Sequence, residues 1–417
     1  MADWSKLSEE LKKLGVQHGA EQLSPPRKKD SKPIESLVHG RDIQTVYGNV
    51  FSVNRSFTSD YHHGEIPIQP FSDKNVLCQW AGAPILADRD ISSFVFLDTE
   101  TTGLSGGTGT IAFMIGAARV VGSQLQVEQF FLRNPAEEKA QLSALASFVE
   151  GASAIVSYNG KSFDLPIINT RYVLNRIKNP FLDFEHFDLL HIARRVWRRR
   201  LKQCNLGKIE KEILGFFRSG VDIPGYLVPE FYRDYLLKGD ASQIPGIFYH
   251  NENDVLSLLA LFNVLADILE NPSIEHLPHA QDRLSVGLLM EDLQKNHIVE
   301  QMYANDPDEF TNMEEKILTL MLQANLHKRN RDFNKAIPIW EEALELGSFR
   351  AGIQLAMFYE HQLNKISQAI YFTQESKRLI DSTEKTHLKE KLLCEINHRL
   401  NRLFSKLPGG KDSGTSH

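Results

Sequence analysis

The spacing of apolar and polar residues changes several times along the chain, and each change predicts an element. Leu7, Leu11 and Leu14 recur at helical spacing, which predicts a short helix over residues 7–16. It gives way to Ser24-Pro25-Pro26-Arg27-Lys28-Lys29-Asp30-Ser31-Lys32-Pro33, a charged, turn-rich linker. Residues 40–90 hold short β-like pieces broken by Gly and Pro, Thr45 to Val53 among them. Phe94-Val95-Phe96-Leu97 is a purely apolar strand that runs straight into acidic residues. Ile111–Val121 and Leu125–Leu132 then read as strands across a Gly122-Ser123 turn, Lys139–Glu150 as a helix and Ala154–Tyr158 as a buried strand. Residues 165–270 are mostly helical in pattern, so the whole predicts an α/β domain with a mixed sheet.

Past Asn271-Pro272 only helical patterns remain. Ala336/Ala369, Ile337/Ile370, Glu342/Glu375 and Leu346/Leu379 coincide at an offset of 33, and Leu322/Leu355/Leu388 repeat at the same spacing. This lies beside the period of about 34 of tetratricopeptide repeats. Two such repeats and a capping helix near 388–404 are expected, although an ordinary amphipathic helical bundle gives a similar pattern. The domains expected are therefore an N-terminal helix and linker (1–39), a β-rich extension (40–90), an α/β domain (91–270), a linker (271–310), helical repeats (311–405) and a tail (406–417).

Composition narrows the function. The 417 residues are 42% hydrophobic and 24% charged, enough to bury a core, and 47 Lys+Arg against 53 Asp+Glu exclude a globally basic nucleic-acid binder. Cys78, Cys204 and Cys394 stand far apart with no CxxC pair, which argues against a disulfide framework or a zinc knuckle. No run approaches the roughly 20 apolar residues that cross a bilayer. The charged start Met1-Ala2-Asp3-Trp4-Ser5-Lys6 has no apolar signal core, so a soluble cytoplasmic protein without a membrane partner is expected.

Four carboxylates stand out by position. Asp98 and Glu100 are two apart at the end of the apolar strand, so the strand's period places both on one face. Asp164 closes Asn159-Gly160-Lys161-Ser162-Phe163-Asp164, and Asp254 lies in Tyr249-His250-Asn251-Glu252-Asn253-Asp254-Val255 at the start of an apolar helix. Converging carboxylates repel one another unless cations neutralise them, and oxygen ligands of this kind suit Mg²⁺ or Mn²⁺. Two such ions roughly 3.5–4 Å apart can activate a water and stabilise the leaving oxygen of a phosphodiester. Any one of these acids alone reads equally well as a helix cap or a surface charge.

Asp98-Thr99-Glu100-Thr101-Thr102-Gly103-Leu104 resembles the first motif of the DEDD exonucleases, which share the ribonuclease H-like fold; Asn159 to Asp164 resembles their second and the stretch ending at Asp254 their third. With Ser105 to Thr110, Asp188-Leu189-Leu190 and Leu214-Gly215, the chain is similar to the YprB family of bacterial ribonuclease H-like proteins, closely over about 40–270. The resemblance implies a ribonuclease H-like mixed sheet flanked by helices, followed by an all-α tetratricopeptide-like region. It further implies a 3′-to-5′ exonuclease acting on DNA or RNA with two divalent ions, Mg²⁺ or Mn²⁺. Asp98 would bridge both ions, Glu100 and Asp254 complete the first site, and Asp164 supports the second. The third motif departs from the family, which places His five residues or Tyr four residues before the last Asp; here Tyr249 and His250 are exchanged. His250 is the favoured group to orient or deprotonate the attacking water, because an imidazole ordinarily titrates nearer neutrality than a phenol.

Further candidates surround these motifs. Arg194-Arg195-Val196-Trp197-Arg198-Arg199-Arg200-Leu201-Lys202 holds six cations and one Trp in nine residues, a pattern suited to a nucleic-acid strand, with Trp197 stacking on a base. A solvated helix face with Trp197 packed inward is the competing reading. Thr99 and Asn159 are candidate substrate contacts, though Asn159 would equally cap the following helix. Gly103 to Thr110 joins strands and lacks the Gly-Lys-Ser/Thr ending of a Walker loop. His62 and His63 read as structural, and Asp188 as the end of a strand. The rival to a nuclease is a non-catalytic module that binds nucleic acid or protein, with the helical repeats docking a protein partner; endonuclease action on structured nucleic acid is a third reading.

Overall fold

A computed structural model describes residues 32–69, 73–103, 109–304, 306–382 and 387–407. The helix expected over 7–16 and most of the Gly103–Thr110 loop lie outside these residues. Strands β1 (Arg41–Thr45), β2 (Gly48–Thr58), β3 (His62–His63) and β4 (Ile66–Pro67) precede helix α1 (Asn75–Trp80). Then come β5 (Phe94–Thr101), β6 (Ala112–Val121), β7 (Gln124–Phe131), α2 (Glu138–Phe148), β8 (Ala154–Ser157), α3 (Asp164–Asn175), β9 (Glu185–Asp188), α4 (Leu189–Leu201), α5 (Leu206–Glu212), α6 (Val228–Lys238) and α7 (Ile244–Glu270). The remaining elements are helices: α8 (Ala280–Asp292), α9 (Asn296–Tyr303), α10 (Met313–Arg329), α11 (Phe333–Glu345), α12 (Phe349–His361), α13 (Ile366–Asp381) and α14 (His387–Phe404).

Seven strands form one mixed sheet in the order β1-β2-β7-β6-β5-β8-β9. The side from β1 to β5 is antiparallel, whereas β5-β8 and β8-β9 pair in parallel. Central strand β5 is covered on both faces, which explains its unbroken apolar run. Phe94 and Phe96 point into a core shared with Phe262 of α7 and Val196 of α4, while Val95 and Leu97 point into a second core with Leu145 of α2 and Ile168 of α3. By the same alternation, Asp98 and Glu100 emerge on the α7 side once the strand leaves the core.

Two expectations about the chain's divisions change. Residues 40–90 do not stand apart, because β2 pairs with β7 from Phe51↔Phe131 to Thr58↔Gln124 and makes the segment the sheet's antiparallel edge. Residues 271–310 are not a bare linker. They carry α8 and α9, whose Leu284, Leu289, Met290, Val299 and Met302 join the core that also holds Trp197. From α10 onward the helices build separate cores around Trp340 and around Leu400. Ala336 and Ala369, matched at the offset of 33, are both fully buried there.

Candidate active site

Each carboxylate is placed by the end of an element. β5 delivers Asp98 and Glu100, its register with β6 shifting between Glu100 and Thr101. Asp164 opens α3, and Asp254 sits one turn after His250 on α7. Ligand atoms of Glu100, His250 and Asp254 all lie within 4.8 Å of one another. His250 Nε2 is 3.4 Å from Asp254 Oδ2 and 3.9 Å from Glu100 Oε1. Asp98 lines the same groove as His250 and Asp254, a space of ≈ 540 Å³. Thr99 is half-buried, and its Oγ1 donates to Asp164 Oδ1 at 2.5 Å.

The electrostatics are those of carboxylates in want of a cation. Burial, then the charges of Asp254, Asp164 and Glu100, push the Asp98 carboxyl well above its usual range. Burial and the charges of Asp254 and Asp164 do the same to Glu100. Burial raises Asp164 to about 6, against the opposing hydrogen bond from Thr99. The carboxylates of Glu100 and Asp254, which repel one another and converge within 4.8 Å beside His250, fit a divalent cation.

A buried underlayer holds Asp98 in place. Asn251 Nδ2 donates to Asp98 Oδ2 at 2.9 Å, and Gln129 Nε2 donates to Asn251 Oδ1 at 3.0 Å. Gly116, paired with Asp98 across β5-β6, makes room for this amide: a Cβ there would stand 2.2 Å from Asn251 Oδ1. Asp188 does more than end β9. Its carboxylate accepts from the backbone of Asn159 at 2.7 Å and Lys161 at 3.1 Å, tying the loop before Asp164 to α4. Asn159 has φ +66°, so its residue type serves a left-handed turn, and it does not cap α3.

Sequence reasoning missed Arg218, Glu210 and Asp222. Arg218 lies between α5 and α6, where no periodicity marks it, and its Nη2 donates to Asp254 Oδ1. His250 Nδ1 is 2.8 Å from both Asp222 Oδ1 and Arg218 Nη1, which leaves Nε2 turned to Glu100 and Asp254. The Tyr249 hydroxyl instead accepts from the Ser219 backbone at 3.0 Å. Of the exchanged pair, it is His250 that belongs to the groove.

The basic stretch divides by helix face. Trp197 is 2% exposed within the core, so it cannot stack on a base; the inward-packed reading holds. Arg200 pairs with Asp282 at 2.7 Å and Arg195 with Asp292, both on α8, and Arg199 is half-buried. Arg194 and Arg198 are exposed and line a second groove of ≈ 650 Å³ with Asn159 and Lys202. The two grooves share Tyr158 and Leu206, so the cations lie along a path leading to the carboxylates.

His63 is buried and His186 half-buried, and they are hydrogen-bonded to Ser257 and Ser157 at 2.7 Å each. Desolvation lowers both to about 4. The folded state therefore favours neutral rings, the unfolded chain takes up protons first, and stability falls as pH drops from about 6.5 toward 4. Moving from pH 7 to 5 should cost about 2 kcal/mol per histidine, at about 1.4 kcal/mol per pH unit. Urea melts at the two pH values check this. His63→Asn should flatten the dependence, and an unchanged slope in that variant would refute it.

A protein-family model described as RNase_H superfamily matches residues 95–266, the span that carries every residue of both grooves. The uncharacterized protein YprB of Bacillus subtilis (strain 168) is 33% identical over 320 residues, covering 76% of this chain and 75% of the relative. Among the described residues, no helix is long and apolar enough to cross a membrane.

Proposed function

Because the chain belongs to the family of YprB and carries an RNase_H superfamily domain, we propose that it is a metal-dependent nuclease, a 3′-to-5′ exonuclease that hydrolyses phosphodiester bonds of DNA or RNA. The observation that carries this reading is the convergence of Glu100, His250 and Asp254 beside Asp98, at the end of a groove lined by Arg194 and Arg198. Asp98, Glu100 and Asp254 would hold one divalent ion, Mg²⁺ or Mn²⁺, and Asp98 with Asp164 a second. Bound there, such ions supply an activated water and charge stabilisation for the leaving oxygen. The chain's own groups do the rest. The Asn251 amide fixes the Asp98 carboxylate, Thr99 fixes Asp164, and His250 Nε2 faces the groove where it can accept a proton from the attacking water. The aim of His250 favours catalysis over a purely binding role. The helical region from α10 onward, with its tetratricopeptide-like spacing, is proposed to dock a protein partner.

Polarity is tested with strands labelled at one end, in Mn²⁺ and in Mg²⁺. A 5′-labelled strand should yield a ladder shortening stepwise from the 3′ end; internal cuts from the first time point would instead establish an endonuclease. Arg194 and Arg198 are tested by charge reversal. Arg194→Glu with Arg198→Glu should weaken strand binding and reduce the slope of log K against log salt by about 0.7 for each phosphate no longer neutralised. An unchanged slope would place the strand elsewhere.

A further inference from the structure

We infer that Arg218 is the ligand for a non-bridging oxygen of the scissile phosphate, and that in the metal-free protein its groove-side donor is held by Asp254. The inference rests on the nuclease reading above and assigns that site a residue which no sequence motif marks.

The guanidinium is anchored from behind. Arg218 Nε donates to Glu210 Oε2 at 2.8 Å and Nη2 to Glu210 Oε1 at 2.6 Å, a two-pronged grip that fixes the plane of the fork. Glu210 is 1% exposed and is itself held by Ser257 Oγ at 2.7 Å; Ser257 is in turn 2.7 Å from His63 Nε2. The His63 ring stacks on Phe216 at 3.9 Å, so the chain of contacts runs from the β3-β4 hairpin to the groove without reaching solvent.

The other side of the fork behaves differently. Its Nη atoms reach Asp254 Oδ1, His250 Nδ1 at 2.8 Å and Asp222 Oδ1 at 3.5 Å, and the side chain lines the groove with Asp98, His250 and Asp254. Here Arg218 serves as counter-ion to carboxylates that otherwise repel one another. Asp254 is also a metal-ligand candidate. Once a dication satisfies that carboxylate, Arg218 loses its competition for the oxygen while Glu210 keeps the fork in place. Its outer N–H groups then face the groove. A planar fork of this kind matches two oxygens of a phosphate, which an ammonium cannot do.

The test uses the full chain in two variants. Glu210→Gln combined with Arg218→Gln removes the cation without leaving the buried Glu210 carboxylate unpaired, and Arg218→Lys keeps the charge but not the fork. Two readouts do not depend on turnover: Mn²⁺ affinity by electron paramagnetic resonance without nucleic acid, and the salt dependence of oligonucleotide binding in Ca²⁺. The double variant should bind Mn²⁺ several-fold more tightly, because its competitor is gone, and its salt slope should fall by about 0.7. Arg218→Lys should keep the wild-type slope yet cleave more slowly. Mn²⁺ affinity that is unchanged or weaker in the double variant, or an unchanged slope, overturns the assignment while wild-type cleavage stands. A wild-type protein that cleaves nothing overturns the nuclease reading instead, whatever the variants do.

Discussion

Asp98→Asn should reduce cleavage by roughly 10³-fold while raising the melting temperature of the metal-free protein. The loss follows from removing a carboxylate that both proposed ions share, where several kcal/mol of charge stabilisation are at stake and each 1.36 kcal/mol is about tenfold in rate. The gain has a separate cause. The Asp98 carboxyl titrates well above its usual range in the folded state, through burial and the charges of Asp254, Asp164 and Glu100. A raised carboxylate stabilises the fold only at low pH. Its contribution is present in full below the unfolded value and is lost as pH rises through the raised folded value, so at higher pH the buried Asp98 carboxyl is a cost to folding. A neutral amide removes that cost and can still pair with Asn251, which lies 2.9 Å from Asp98 Oδ2. Added Mn²⁺ should reverse the order, raising the wild-type melting temperature and leaving the variant nearly unmoved. A variant that melts lower than wild type in chelator, or retains its activity, would contradict the electrostatic account.

The second large effect falls far from the site. Trp340→Ala should cost the C-terminal helices about 3–5 kcal/mol, the range for truncating a buried Trp. Trp340 is 1% exposed and packs with Leu320, Ala336 and Leu355 in a core distinct from the one beneath the sheet. Hydrogen exchange should therefore show reduced protection in α11–α13 while β5 and α7 stay protected, and cleavage of a short oligonucleotide should persist. Reduced protection throughout, with cleavage abolished, would show that the two regions fold as one unit.

How far the chain could be read depended on whether each feature is local. Asp98 and Glu100 were visible because an apolar run ends at them and strand alternation fixes their common face. His250 and Asp254 were visible because the stretch from Tyr249 to Asp254 resembles the third motif of the DEDD exonucleases. Trp197 misled for the opposite reason. A run of arginines looks uniform in sequence, and the partners that sort its faces, Asp282 and Asp292, lie on α8, more than 80 residues onward. Helix α8 was itself hidden, because it buries Asp282, Arg283 and Ser285 alongside its leucines and so shows no apolar stripe. The joining of β1 and β2 to the sheet depends on pairing with β7, about 70 residues later, which no local pattern announces. Gly116 did leave a trace, as a glycine interrupting an apolar strand. Such a gap marks a close approach, here of Asn251.

Metal-dependent cleavage is the most direct test of the central claim. Wild-type protein and Asp254→Asn would be incubated with end-labelled single-stranded DNA and RNA in Mn²⁺, in Mg²⁺ and in chelator. The account predicts that wild type degrades at least one of these strands in the presence of either ion, that chelator stops it, and that Asp254→Asn leaves the strand intact in every condition. Strands that survive both ions with wild-type protein, or cleavage that continues in chelator or in Asp254→Asn, would contradict it.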